Sequence, residues 1–368
     1  MGGGAIGAAI AYGLAKNGQS VVVLDGEDTA LRAARGNAGL VWYQFKGLGF
    51  QPYADISLEA TKHWPDFADE LAARSGITLH YEKPGGIELC ANEVELEQVS
   101  AELEQLRKQS PGGHYDSQLI DRQALQEMIP ALKLGADVAG AAYSPHDGMV
   151  YAPALLRALH TVILQLGCRI FPDHKVTAIE ANGQSYVVRA GDRQFAAEKV
   201  VLAAGLGLAP LGELLDTPIP VTPERGQLIV TQSLPPVIRY PSGGIRQTPA
   251  GNLLLGTSNE DAGYDETVEV SVIQNIAAKW AHTFPDLENV GIVRTWAALR
   301  PMTPDGFPVY QELENHRGIF VVTSHSGITL ASLNSGLVAR WIIDGSASND
   351  LAAFSLDRFD KARGESNV

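Results

Sequence analysis

Gly2, Gly4 and Gly7 at the head of the chain spell G-x-G-x-x-G, and a helix-compatible run to Lys16 follows. Val21-Val22-Val23-Leu24 then reads as a short buried strand ending in the acid Asp25. This spacing suits a dinucleotide phosphate. The first glycine permits a tight turn, the second lets backbone approach a pyrophosphate, and the third lets helix pack on strand. The helix start faces the charge with unpaired N–H groups, and Asp25 stands where an acid receives ribose hydroxyls. A glycine-rich helix start alone would not account for the acid, although an acid at a strand end is also an ordinary turn residue.

Further candidates lie downstream. Gly36-Asn37-Ala38-Gly39-Leu40 is a loop whose glycines let backbone come close to something, and it continues into Trp42, Tyr43 and Lys46. These three side chains are as readily core anchors as pocket walls. Near the other end, Ser324-His325-Ser326-Gly327-Ile328-Thr329 is a loop between a strand-like and a helix-like segment. His325 is a further candidate for the substrate pocket, although a histidine in such a loop more often shapes backbone than moves protons. Taken alone, Arg300 reads as an arginine held in a salt bridge. No G-x-S-x-G, H-E-x-x-H, Walker A or metal-ligand spacing occurs, which leaves hydrolase, phosphotransferase and metal-site readings without support. Cys90 and Cys168 form no paired motif and read as buried thiols in a reducing compartment.

The elements that must position these residues are legible from periodicity. Residues 52–75 predict a long amphipathic helix ended by Gly76, and 77–91 predict two strands around Pro84-Gly85-Gly86. Residues 29–34, 93–108, 121–128, 154–166, 268–284 and 330–343 predict further helices. Leu96, Val99, Leu103 and Leu106 form a stripe on the second of these, better explained by packing on a sheet than by dimerisation. Strands are expected at 175–180, 186–190, 200–203, 228–231, 253–255, 291–299 and 319–323, with a polar, frayed tail from Asp360. Strand, glycine loop and helix therefore recur at both ends of the chain, with antiparallel-looking sections between. The fold class is α/β (α+β): a Rossmann-like nucleotide domain interrupted twice by a second domain with a mixed, largely antiparallel sheet. Residues 1–76, 147–217 and 300–360 are assigned to the first, 77–146 and 218–299 to the second. One piece is out of place: the fingerprint ordinarily follows a strand, and here only Met1 precedes it. The expectation is that this central strand lay upstream of Met1, leaving its slot empty or filled by something else.

In their order along the chain, these segments resemble the FAD-dependent amine oxidoreductases of the D-amino-acid oxidase superfamily. Gly2–Gly7 with Asp25, Gly36-Asn37-Ala38-Gly39-Leu40, Asp147-Gly148-Met149-Val150 and Val200-Val201-Leu202-Ala203-Ala204-Gly205 carry the first half. Arg225-Gly226-Gln227, Trp296-Ala297-Ala298-Leu299-Arg300-Pro301 and Ser324-His325-Ser326-Gly327-Ile328-Thr329-Leu330 complete it. The resemblance implies a Rossmann-like FAD-binding domain of the glutathione-reductase type. It makes Gly2, Gly4 and Gly7 the pyrophosphate turn and Asp25 the adenosine ribose ligand. Asn37, Ala38, Gly39 and Leu40 should run along the flavin, Val176 should meet the adenine, and Ala204-Gly205 should close over the diphosphate. Ser326, Gly327, Ile328 and Thr329 should offer backbone N–H groups to the pyrimidine edge, where the following helix start favours the charge gained on reduction. Arg300 becomes the bidentate clamp for a substrate carboxylate. No general base is named, because hydride transfer from a neutral amine to flavin N5 needs none. Neither cysteine matches an attachment motif, so the implied FAD is non-covalent.

The function so implied is oxidation of the C–N bond of a small amino or imino acid, to an imine that water hydrolyses. D-amino acids, D-proline or D-hydroxyproline, and glycine or sarcosine are the candidate substrates. The segments 37–42 and 324–329 look closest to bacterial D-hydroxyproline dehydrogenases and opine-oxidase catalytic subunits, with glycine oxidases nearby. The electron acceptor is then oxygen, or a partner protein or quinone, in a homo- or hetero-oligomer. The alternatives are a non-catalytic or opine-oxidising FAD-binding subunit of a heteromeric dehydrogenase, and an NAD-dependent dehydrogenase, which would leave the 324–330 loop unexplained. A net charge of -14 argues against binding nucleic acid through a general field. With no signal-like or membrane-spanning segment, the expected location is cytoplasmic, at most peripheral to the inner membrane through a partner.

Overall fold

The helix Ala5–Lys16 is lined by Ala8, Ala9 and Ala11, all buried. Small side chains let other helices approach closely. At Gly13 a Cβ would stand 2.1 Å from the Ser335 carbonyl oxygen of the C-terminal helical segment. The computed structural model describes residues 1–26, 33–345 and 349–359. On the strand side, Val22–Leu24 pairs in parallel with Arg169–Phe171, and Val200–Leu202 pairs in parallel with Ile319–Thr323. Val309–Glu312 runs antiparallel to the latter.

Met1 and Gly2 lie between these two sets. The Gly2 N–H donates to Leu24 O at 2.8 Å, the Met1 amine to Val201 O at 2.6 Å, and the Ala203 N–H to Met1 O at 2.9 Å. Among the described residues no strand pairs with both Val22–Leu24 and Val200–Leu202. A separate antiparallel sheet of Val176–Asn182, Ser185–Ala190 and Arg193–Ala197 folds about Gly183.

The long helix Gln51–Ser75 starts on Pro52, which fits the first helical turn, and ends on Gly76 in the left-handed conformation at φ 68°. Tyr53, Ile56, Ala60, Trp64, Phe67 and Leu71 give it a buried stripe at helical spacing. Ala152–Gln165 packs beside it and against Ala5–Lys16.

The second half of the architecture is sheet. Thr222–Ser233 pairs antiparallel with Ile292–Met302 on one side and Asn252–Leu255 on the other, and Ile245–Gln247 adds the outer strand. A bridge from Ile87 to Ser242 joins this sheet to a second one of Gly86–Cys90, Gly140–Ser144 and Gln118–Asp121. The helix Val270–Thr283 covers one face. Its Ile276 and Trp280 share an apolar cluster with Ile229, Ile245, Leu253 and Leu255.

Several expectations need correction. Residues 77–91 hold one strand, Gly86–Cys90; before it only Glu82 makes an isolated bridge, to Met149. The strand at 291–299 continues to Met302, because Thr222–Ser233 is long enough to pair with it throughout. Arg169–Phe171, Arg193–Ala197 and Gly140–Ser144 are additional strands. The C-terminal helix runs from Ala331 to Asp344 with a wider π turn at Asn334–Val338, and Gly345 caps it. The helix expected at 29–34 is seen as Ala33–Gly36, and its first part lies outside the described residues, as does the tail from Asp360. The stripe on Glu93–Gln109 turns inward: Leu103 and Leu106 are buried with Tyr43 and Tyr115. Among the described residues no helix is long and apolar enough to cross a membrane.

Candidate active site

Each glycine of the fingerprint has its own surroundings. Gly2 has φ +95°, and a Cβ there would lie 2.4 Å from Ala203 O. At Gly7 it would lie 2.0 Å from Gly2 O. At Gly4 it would meet nothing within 4 Å. The space is open, and Gly4 is the N-cap of Ala5–Lys16, with no side-chain cap and no acid in the first turn. An uncompensated helix start opening onto free volume is the geometry a phosphate needs. Asp25 is 9% exposed, and its Oδ2 accepts from the Gly3 N–H at 2.6 Å, which fixes the acid beside the turn. The His174 N–H donates to Asp25 O at 2.7 Å, so Val176 begins its strand alongside Asp25. After Val200–Leu202, Ala203 and Ala204 lie against Gly2, and Gly205 takes φ +56° beside Pro301.

The second wall is the loop 36–40. Asn37 Oδ1 accepts from the Gly39 N–H at 2.7 Å, an Asx turn, and Gly39 takes φ +81° with its Cβ direction blocked by Val150 O at 2.1 Å. Leu40–Val41 then pairs with Gly148–Met149. Asp147, fully buried, accepts from the backbone N–H groups of Tyr43 and Gln44 and from the Gln44 side chain. Burial pushes its carboxyl up to about 7 against those donors.

The loop 324–329 closes onto this wall from the far end of the chain. The Trp42 N–H donates to Thr329 Oγ1 at 3.0 Å, and Trp64 Nε1 donates to Thr329 O at 2.8 Å. Ser326 Oγ receives Lys46 Nζ and the Tyr53 hydroxyl, both at 2.7 Å. Lys46 Nζ also lies 3.2 Å from His325 Nε2, while His325 Nδ1 lies 3.1 Å from Gly306 O. Nδ1 therefore carries the proton and Nε2 accepts. Burial first, and the Lys46 charge second, hold the imidazole down at about 3. His325 is a neutral spacer between Lys46 and Gly306 O. Gly327 packs beside Ile6, and Ile328 is in the core with Ala5 and Ala8. Tyr43 rests against Tyr115 and His146 in an apolar cluster behind the loop.

Arg300 sits opposite Glu224 in the strand register and pairs with it at 2.9 Å. Its Nη1 also reaches Ser258 O at 3.0 Å and Asn259 Oδ1 at 3.1 Å, and Nη2 donates to Thr257 Oγ1. The guanidinium passes over Gly226, where a Cβ would be 2.5 Å from Nη2. Its Nε has no partner among the described residues.

Reasoning from the sequence did not single out Arg246, which is 3% exposed and donates through Nε to Ala38 O. No carboxylate pairs with it among the described residues. The available signal was a lone arginine in the short strand-like run Ile245-Arg246-Gln247. Asp147 was likewise missed as a support of the loop, although it opens the motif Asp147-Gly148-Met149-Val150.

Known proteins share the sequence and the fold. The chain is 35% identical over 367 residues to an opine oxidase subunit of Rhizobium meliloti, covering 99% of this chain and 98% of that one. It is 31% identical over 365 residues to glycine oxidase of Geobacillus kaustophilus, covering 97% and 96%. The crystal structure of glycine oxidase from Geobacillus kaustophilus superposes with a TM-score of 0.87 at 30% identity, covering 96% of each chain. Residues 1–341 match the DAO family, FAD dependent oxidoreductase. The chain belongs to the DAO family and is an FAD-dependent oxidoreductase.

Proposed function

We propose that the protein oxidises the C–N bond of a small amino or imino acid, with Arg300 as the clamp for the substrate carboxylate. The observation that carries this is the donor arrangement of Arg300. Its Nη1 is spent on Glu224, Ser258 and Asn259, and the Nε side of the guanidinium keeps donor capacity for a carboxylate. Glu224 and Thr257 hold that edge in place, so little rotamer entropy is lost when a carboxylate arrives.

FAD fits the residues present. The open space at Gly4 and the uncapped helix start suit its diphosphate, and Asp25 is fixed where a ribose would lie. Val176 is assigned to the adenine, Ala204 and Gly205 to the diphosphate, and Asn37, Ala38, Gly39 and Leu40 to the flavin. Ser326, Gly327, Ile328 and Thr329 are assigned to its pyrimidine edge, and Trp42 and Lys46 to the rim. We assign residues 1–76, 147–217 and 300–360 to the cofactor domain and 77–146 and 218–299 to the substrate domain. Both cysteines are buried in packed cores, which supports a dissociable cofactor. Bound FAD supplies the acceptor for the hydrogen and electron pair that leave the substrate carbon.

The chain's own groups orient and exclude. Arg300 fixes the carboxylate, and the strand carrying it holds the reacting carbon towards the loop 36–40. The imidazole of His325 stays neutral in its contact with Lys46 and takes no proton from the substrate amine. The substrate nitrogen loses its proton to solvent, a C=N bond forms, and water hydrolyses it. The name of the Rhizobium meliloti relative, an opine oxidase subunit, supports a secondary amine as substrate and a partner subunit; we assign the electrons to that partner and the pair to the cytoplasm.

The test is a dye-linked assay across glycine, sarcosine, D-proline, cis-4-hydroxy-D-proline and octopine, with and without oxygen. Arg300→Leu should keep its FAD and lose roughly 10²–10³-fold in kcat/KM for the best substrate. Unchanged turnover would remove the clamp, and a protein that takes up no FAD would remove the whole reading.

A further inference from the structure

We propose that Arg246 is a second carboxylate anchor, the residue that selects substrates carrying two carboxylates over those carrying one. The inference rests on the reading above, in which Arg300 takes one carboxylate; it adds what takes the other.

The first ground is an uncompensated charge. A buried guanidinium is costly unless paired, and buried arginines ordinarily have carboxylate partners. Arg225, 2% exposed, follows that rule with Glu260, Asp265 and Glu269 around it. Arg246 is as deeply buried and has none among the described residues. Its one hydrogen bond uses Nε, to Ala38 O, so Nη1 and Nη2 both remain open. That end of the guanidinium is a fork matched to a carboxylate. Burial draws Arg246 down to about 10, which leaves it cationic at neutral pH and without an anion.

The second ground is position. The register runs Arg246 to Leu254, Leu254 to Val230 and Val230 to Arg294, so Arg246 and Arg294 share one row of the sheet. Arg294, Trp296, Ala298 and Arg300 alternate onto the same face of their strand. The loop 36–39 lies across that face: Trp296 Nε1 donates to Gly36 O at 3.1 Å, and Arg246 donates to Ala38 O. Arg246 Nη2 comes within 3.2 Å of where a Gly39 side chain would begin. Both arginines therefore look onto the loop assigned to the flavin, from strands of the same sheet.

The third ground is separation. The two Cα positions are three strands apart in the order of the sheet. This spans roughly 14 Å across the strands and roughly 20 Å along them. One guanidinium rests over Gly226 and the other over Ala38 and Gly39. They are two stations. A substrate with a single carboxylate satisfies one and leaves the other charged and empty, whereas an imino dicarboxylate places an anion at each with its C–N–C unit between.

The experiment uses the FAD-loaded protein and two non-oxidisable carboxylates read by perturbation of the flavin absorbance. Glutarate is the carbon isostere of iminodiacetate, and butyrate is the same chain with one carboxylate. Wild type should bind glutarate roughly 100-fold more tightly than butyrate. Arg246→Gln should bring the ratio close to one with butyrate affinity kept, and Arg300→Gln should weaken both ligands. If Arg246→Gln does not load FAD, Arg246→Lys, which keeps the charge without the fork, should lower the ratio at least about tenfold. A wild type without the glutarate preference, or a variant that keeps it, overturns the proposal. So does a variant that shifts the flavin potential while the ratio stands, because Arg246 would then serve the cofactor. Oxidation of sarcosine or D-proline with no dicarboxylate preference sinks the second anchor alone; failure to oxidise any amino acid sinks the first reading as well.

Discussion

Substituting alanine separately at Gly4 and Gly7 distinguishes a glycine kept for a ligand from one kept for packing. Gly4 has φ -72° and ψ -174°, a conformation alanine adopts freely, and its Cβ would enter open space. The apo protein should lose only the difference between glycine and alanine as a helix N-cap, about 0.5–1 kcal/mol. The same methyl should occupy the volume where the phosphate approaches the helix start. Displacing it forfeits one or two N–H bonds to a charged oxygen, each worth about 1.5–3 kcal/mol. FAD affinity should therefore fall by roughly 10–10⁴-fold. At Gly7 the methyl would stand 2.0 Å from Gly2 O, inside any tolerable contact, so helix and turn must separate. The apo protein itself should lose about 1–3 kcal/mol or more. Urea unfolding of both apo variants, with FAD titrated by fluorescence quenching, reads the two quantities apart. If Gly4→Ala binds FAD like wild type, or destabilises the apo protein as much as Gly7→Ala, the assignment of these roles is wrong.

Two further outcomes follow from the loop 324–329. His325 is held near 3 when folded against an ordinary 6.5, so the unfolded chain binds the proton first as pH falls. Its neutral burial costs nothing above about pH 6.5 and about 2 kcal/mol by pH 5, growing until the folded value is reached. The Tm gap between His325→Gln and wild type should move by a few degrees in the variant's favour from pH 8 to pH 5; a constant gap would show an imidazole free to charge. Trp64→Phe removes the donor to Thr329 O while keeping an aromatic ring in a fully buried site. The expected loss is about 1–3 kcal/mol in denaturant unfolding, with weaker FAD retention. A loss confined to the size of the ring, with FAD held as before, would show that Thr329 needs no such tie.

Much of the scaffold was legible because each signal had a local cause. The helix Gln51–Ser75 announces itself through Pro52, a stripe at helical spacing and Gly76. Two of the fingerprint glycines are legible because a side chain would clash, Gly2 with Ala203 O and Gly7 with Gly2 O. Gly140–Ser144 was not legible. Four of its five residues, Gly140, Ala141, Ala142 and Ser144, are small and poor strand formers, and it is a strand because neighbours pair with it on either side. Residues 77–81 show the converse, strand-like types with no ladder to join. At the site, the place of Arg300 could be read from its motif, but its partners could not. Glu224 is set opposite it only by the register of two strands far apart in sequence. Arg246 was hidden more completely. What marks it is a missing counter-ion, and a missing contact leaves no trace in a linear pattern.

The tie between Trp42 and Thr329 joins positions 287 residues apart in sequence. A chain emerging from the ribosome presents the glycine turn and Asp25 long before the strand Ile319–Thr323 and the loop after it. Contacts this distant form only after most of the loop-closure entropy has been overcome. On the cofactor assignments proposed above, capture is a late event of biogenesis, and a nascent chain holds at most a nucleotide half-site. Cellular supply of FAD then acts as a folding partner for the finished polypeptide, stabilising it in proportion to how tightly the closed loops hold it.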